Sequence, residues 1–246
     1  MVKEFKLLGV TIDSKLDFGQ YVSDTCSKVY TRLCSIKNLF YLSTSVKVQF
    51  FKTFILPHFD YCSSLYVYFP KQAIRRLSKS YYLCLSKLLK FHHSPLCDSS
   101  GSANVLNDKL KKYGLLTFQH RLVLRIFTFA YKLTYFNSLG EAVPSELGSC
   151  LVRNSTINSH GYNLRNSNDI HINYSEGKYG NLTFGYIFPR IISLLSITTK
   201  YSSNASPAAF VTKLKSSINQ VFSNIMSRVM NQTDTFSIIS KTLLLN

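Results

Sequence analysis

The chain has 246 residues, 46% of them hydrophobic, which is enough to bury a core as one large or two small domains and too apolar for a disordered tail. Its formal net charge of +17 is concentrated in residues 1–136, where 20 Lys and Arg face 7 Asp and Glu, net +13, against net +4 for the remainder; phosphate backbones are the common partner of such an excess, because each neutralised phosphate releases condensed counterions. The longest apolar stretch, Leu122 to Tyr131, is interrupted by Arg125 and falls far short of the roughly 20 residues of a spanning helix, so no membrane partner is expected, and the charged opening Met1-Val2-Lys3-Glu4 lacks a signal-like apolar region, which leaves cytoplasm or nucleus as the expected compartment.

Phe5 to Ile12 is almost continuously apolar apart from Lys6 and Thr11, the pattern of a short β-strand covered on both faces. From Asp17 the period changes. Val22, Cys26, Val29, Leu33, Ile36 and Phe40 advance by 4, 3, 4, 3 and 4, which places them on one helical face. Ser43 or Ser45 can cap a second helix carrying Val46, Phe50, Phe51, Phe54 and Ile55, which Pro57 ends or kinks. A short aromatic segment, Phe59 to Phe69, precedes Pro70, which suits the first turn of a third helix with a core stripe of Ile74, Leu77, Tyr81, Cys84, Leu85 and Leu88. Residues 95–102 read as a loop, Ala103 to Tyr113 as a helix stopped by Gly114, and Thr117 to Phe136 as a long central helix. The Gly-, Ser- and Asn-rich segment 140–168 reads as a linker between a domain over 1–139 and a small region over 169–246. From Asn166 to Phe188 the chain reads as irregular or short-stranded, and a last helix opens at Ser206-Pro207. The predicted fold is mainly α, a helical bundle with a short N-terminal β-strand and an irregular or helical C-terminal region.

Chemistry-bearing groups are few. Asp13, Asp17 and Asp24 are the only close acidic group and suit turns and helix caps rather than a converging metal-binding set. His92-His93 with Cys97, and His58 with Cys62, lack a second pair at zinc-finger spacing. The six cysteines contain no C-x-x-C pair and read as reduced, mostly buried thiols. No Gly-rich phosphate loop or nucleophile elbow occurs. The remaining signal is basic: Arg76, Lys79, Lys87 and Lys90 fall along one side of the third helix, opposite its apolar stripe, with Lys28 and Arg32 one turn apart on the first helix and Arg121 and Arg125 on the long one. Rows of this kind, lining one groove, would track a phosphate backbone; a solvated helix face is the alternative. His58 and Tyr61 read as packing residues, with nucleic-acid contact as their alternative.

Two runs carry a more specific signal. Lys6-Leu7-Leu8-Gly9-Val10-Thr11-Ile12-Asp13, followed roughly forty residues later by Phe54-Ile55-Leu56-Pro57-His58-Phe59-Asp60-Tyr61-Cys62-Ser63, resembles the reverse transcriptase of non-LTR (LINE-type, jockey-like) retrotransposons in the stretch just after the polymerase palm. Leu116, His120-Arg121 and Tyr131-Lys132 stand where that family has a looser L-x-x-R-R…Y-K segment. Tyr162-Asn163-Leu164-Arg165-Asn166 and Gly180 to Tyr186 resemble its L-R-x and R-S-F-x-Y, with Asn181-Leu182 in place of Arg-Ser and no Trp after Pro189-Arg190. The resemblance implies a thumb-like helical bundle that holds a primer-template of RNA, DNA or RNA–DNA duplex, and a strand that packs on the palm, leaving an apolar edge if the palm is absent. It also implies that the Tyr-Ala-Asp-Asp turn, the other catalytic aspartate and their Mg belong to a palm upstream of Met1. No catalytic, metal or cofactor residue is expected in this chain, and no polymerisation by it alone. A basic helical RNA- or DNA-binding protein derived from such an element, and a decayed reading frame, are the alternative readings.

Overall fold

The computed structural model describes residues 4–37, 41–89, 108–140, 143–157, 170–172, 183–199 and 205–231, and these are mainly helical, with one two-stranded antiparallel sheet. The described residues up to Leu122 form one compact unit and Val123–Asn231 a second. The division falls inside the helix Phe118–Ser138.

In the first unit the apolar N-terminal run is not one strand covered on both faces. It folds back on itself as β1 (Glu4–Leu7) and β2 (Val10–Asp13), with Leu7 opposite Val10 and Glu4 opposite Asp13. The two residues between them, Leu8 at φ 46° and Gly9 at φ 84°, both take the left-handed conformation that a two-residue type I′ hairpin turn requires. An unbroken apolar run hides such a turn, since its only mark is one glycine. All four residues of β1 are exposed, whereas Val10 is buried, so the hairpin packs through β2.

Helix α1 (Gly19–Lys37) buries Val22, Val29 and Leu33 on the anticipated face; Phe40 and the side chain of Ile36 lie outside the described residues. Ser43 caps α2 (Thr44–Phe50), its Oγ accepting from the Val46 amide at 3.4 Å. Pro57 does not end the helix. The chain widens into a π-turn over Phe51–Ile55 and continues as α3 (Leu56–Asp60). A proline ring collides with the carbonyl one turn back and offers no N–H, and a widened turn is one way to absorb both. After a left-handed Cys62 at φ 51°, a 3₁₀ segment (Ser63–Tyr68) leads to α4 (Lys71–Leu89), which buries the predicted stripe.

Residues 108–112 are helical and stop at Gly114, φ 60°, where the Leu115 amide returns to the Leu110 carbonyl at 2.8 Å, a Schellman closure. Lys52 Nζ donates to the Tyr113 carbonyl at 2.7 Å beside it. Tyr81 is the centre of the unit's core, with the rings of Phe51, Phe59, Tyr82 and Phe118 at centroid distances of 5.8, 5.4, 5.7 and 5.7 Å and its hydroxyl donating to the Leu116 carbonyl at 2.6 Å. Burying that hydroxyl with a partner avoids a desolvation penalty of about 1–3 kcal/mol.

Helix α5 (Phe118–Ser138) carries the chain across the division. The second unit has its own core, built from the latter part of α5, α6 (Phe184–Thr199) and α7 (Pro207–Asn231). Tyr131 stacks on Phe210 with centroids 3.9 Å apart and donates to the Ala205 carbonyl at 2.6 Å, while Phe129 meets Phe188 edge-on at 5.3 Å. The Ser206 hydroxyl accepts from the Ala209 amide at 3.3 Å, the cap expected before Pro207. Helix α6 begins at Phe184, inside the stretch that reads as irregular or short-stranded. Gly185, Pro189 and several β-branched residues lower its helical propensity, and burial of Tyr186, Ile187, Phe188, Ile191, Leu194 and Leu195 overrides it.

Candidate nucleic-acid interface

Partners divide the basic residues of the first unit into two kinds. Arg76 donates from Nη2 to Ser23 Oγ at 3.0 Å and so ties α4 to α1. Arg121 grips Asp60 at the end of α3 through a two-bond fork, Nε to Oδ1 at 2.6 Å and Nη2 to Oδ2. Both side chains of that ion pair are mostly buried, at 17% and 15% exposure, and a bidentate Arg–carboxylate pair in such a place is an internal brace. Arg121 is thus engaged within the protein before any ligand arrives, whereas Arg76 stays exposed beside its surface hydrogen bond.

The second kind points outward. Lys79 and Lys87 are exposed on α4, on the side away from Ile74, Leu77, Tyr81 and Leu88, with half-exposed Leu83 between them. Lys28 and Arg32 are exposed one turn apart on α1, and neither has an ion pair among the described residues. Arg125 is exposed and belongs to the second unit, and Lys90 lies outside the described residues. Ser23, which receives Arg76, stands roughly 140° and 180° around α1 from Lys28 and Arg32 at 3.6 residues per turn. The Arg76 end of the α4 row therefore reaches α1 on the flank opposite the Lys28–Arg32 pair. The exposed cations of the first unit named here form two patches, Lys28 and Arg32 on α1 and Lys79 and Lys87 on α4.

His58 joins one of these patches. It sits half-buried on α3, and its pKa lies below the ordinary 6.5 because of burial, first, and then the positive charges of Arg32 and Lys28. Nothing in the spacing of these three residues signals the grouping, since His58 is more than twenty residues from either cation and only the packing of α3 on α1 unites them. Tyr61, from the same run as His58, hydrogen-bonds through its hydroxyl to the Leu8 carbonyl in the hairpin turn. A Cβ on Gly9 would lie 3.7 Å from that hydroxyl. The two runs singled out in the sequence are thus in direct contact.

The described carboxylates and thiols have structural surroundings. Asp13 Oδ1 accepts the backbone amides of Lys15 at 2.9 Å and Asp17 at 3.0 Å, the turn role expected of it. Burial would raise its pKa, but the amides of Asp17, Lys15 and Phe18 outweigh burial and hold it below 3.8. Asp24 accepts the Gln20 side-chain amide at 2.8 Å. Burial pushes the Cys84 thiol up to about 12, far from the thiolate that a nucleophile needs. Cys26, Cys34, Cys62 and Cys150 are free and half-buried, more accessible than expected, while Cys97 lies outside the described residues.

No family model, curated protein or solved structure matches this chain. Among the described residues no group of three or more His, Cys, Asp or Glu side chains is placed to hold a metal ion; His92 and His93 lie outside them. No described helix is long and apolar enough to cross a membrane. Lys28, Arg32, Lys79 and Lys87, exposed on helices and without an ion pair among the described residues, can hold a polyanion by charge and position it by geometry.

Proposed function

We propose that this chain corresponds to the region that follows the palm in a non-LTR retrotransposon reverse transcriptase, and that its first unit is a thumb-like element holding the backbone of a primer-template. The observation that carries the reading is the pair of runs at Lys6–Asp13 and Phe54–Ser63, whose order and spacing resemble that family. Contact between Tyr61 and the Leu8–Gly9 turn supports it, because residues of one functional block are expected to meet in space. Exposed Lys28, Arg32, Lys79 and Lys87 supply the charge. Binding of this kind follows the duplex phosphates and is largely indifferent to base sequence. The acid–base and metal chemistry of polymerisation belongs to the palm.

Fluorescence anisotropy of a labelled RNA–DNA primer-template, titrated with the full chain over a range of salt concentrations, tests the reading. Affinity should fall with a log–log slope of several units, and K28Q/R32Q should reduce that slope by about two, at roughly 0.9 per phosphate contact. Salt-independent binding would overturn it. The family assignment has its own test in the transcript 5′ of the Met1 codon, where an in-frame Tyr-Ala-Asp-Asp is expected.

A further inference from the structure

We infer that Lys28, Arg32 and His58 form one site for successive backbone phosphates of the nucleic acid, at which His58 takes up a proton as its own phosphate binds. The inference rests on the reading of the first unit as a nucleic-acid holder and names the contact and its pH control. The placement comes from packing. Tyr21, Lys28 and Arg32 share one flank of α1, within about 40° of one another at 3.6 residues per turn. The Tyr21 hydroxyl donates to the Tyr61 carbonyl at 3.1 Å, just beyond the end of α3. That hydrogen bond holds the flank against α3, and His58 lies in the field of both cations.

The charged and titratable groups on the neighbouring turns of α3, the π-turn and α1 have surroundings of their own. In its own turn, Asp60 is gripped by Arg121. In the preceding π-turn, Lys52 donates to the Tyr113 carbonyl. Tyr61 bonds Leu8, and the Cys62 thiol is held neutral by burial. On α1, Asp24 lies one turn before Lys28 and takes the Gln20 amide. Among the described residues no carboxylate forms an ion pair with Lys28 or Arg32. Two like charges near a half-buried imidazole oppose its protonation; phosphates bound at Lys28, Arg32 and His58 offset that field and favour it. By linkage, a ligand that raises the affinity for a proton is itself bound more tightly as the pH falls.

Binding of a labelled RNA–DNA duplex to the full chain is to be measured as a function of salt at about pH 8 and about pH 5.5, a window that spans the ordinary histidine pKa while duplex phosphates stay ionised. The wild-type log–log salt slope should steepen by about one unit at the lower pH, the signature of one additional phosphate contact. His58→Gln should show the shallower slope at both values. NMR titration of the wild-type imidazole gives an independent reading without substitution, and its midpoint should move upward when duplex is added. Steepening that persists in His58→Gln would overturn the inference, since another group would then be the proton acceptor. A wild-type slope that ignores pH would overturn it too, yet would leave salt-dependent duplex holding in place. Absence of binding at both pH values would remove the inference and the reading on which it rests.

Discussion

Histidine protonation links single residues to the stability of the fold. His120, near the start of α5, has its pKa held below the ordinary 6.5 by burial. An unfolded chain takes up a proton as the pH falls through about 6.5, whereas the native imidazole resists it, so the unfolded state binds more protons in that window and stability rises with pH. The contribution of neutral His120 is therefore complete above about pH 6.5 and is lost progressively as the pH falls towards the depressed folded value. Urea unfolding between about pH 7.5 and pH 5 should show this decline, and His120→Gln should flatten it; an identical decline in the variant would assign it to other groups. Residue identity alone was informative for Asp13, whose turn role follows from its preference for capping backbone amides. It was uninformative for Arg121. A guanidinium in a basic chain looks free for ligand until the fold places Asp60 beside it.

Elements with a local cause were legible in the sequence. The faces of α1 and α4 follow from apolar spacing, the Ser43 and Ser206 caps from side-chain chemistry, and the stop at Gly114 from its tolerance of positive φ. The N-terminal hairpin was not legible, because an apolar run without a Gly-Asn or Asp-Gly pair resembles one buried strand. Its turn yields a sharp expectation. Gly9→Ala must place a β-carbon at φ 84°, where the open 3.7 Å contact to Tyr61 costs nothing and backbone strain costs on the order of 1 kcal/mol. Tyr61→Phe removes the hydroxyl that bonds Leu8, worth roughly 0.5–1.5 kcal/mol. Hydrogen exchange at the amides of β1 and β2 should speed up in both variants while α4 stays protected; unchanged exchange in Tyr61→Phe would show that the tie does not hold the turn.

At the scale of the molecule, each unit has a separate aromatic core, one around Tyr81 and one around Tyr131 and Phe210. Phe210 is fully buried, and its replacement by alanine should cost about 3–5 kcal/mol through lost transfer energy and a residual cavity. Exchange protection in α6 and α7 should fall accordingly, with little change in the hairpin or α4, because interactions within one cooperative unit report mainly on that unit. Equal losses in both units would mean that they unfold as one. By itself the sequence determined the mainly helical class, the buried stripes, the caps and the basic excess of residues 1–136, because each depends on local periodicity, local backbone chemistry or composition. Only the tertiary structure decided that α6 is a helix despite Pro189, that Arg121 braces Asp60, and that α3 with His58 packs on α1 with Lys28 and Arg32. Those outcomes depend on contacts between residues far apart in the chain, where burial outweighs propensity and where a charge acquires its role from the group that packing sets beside it.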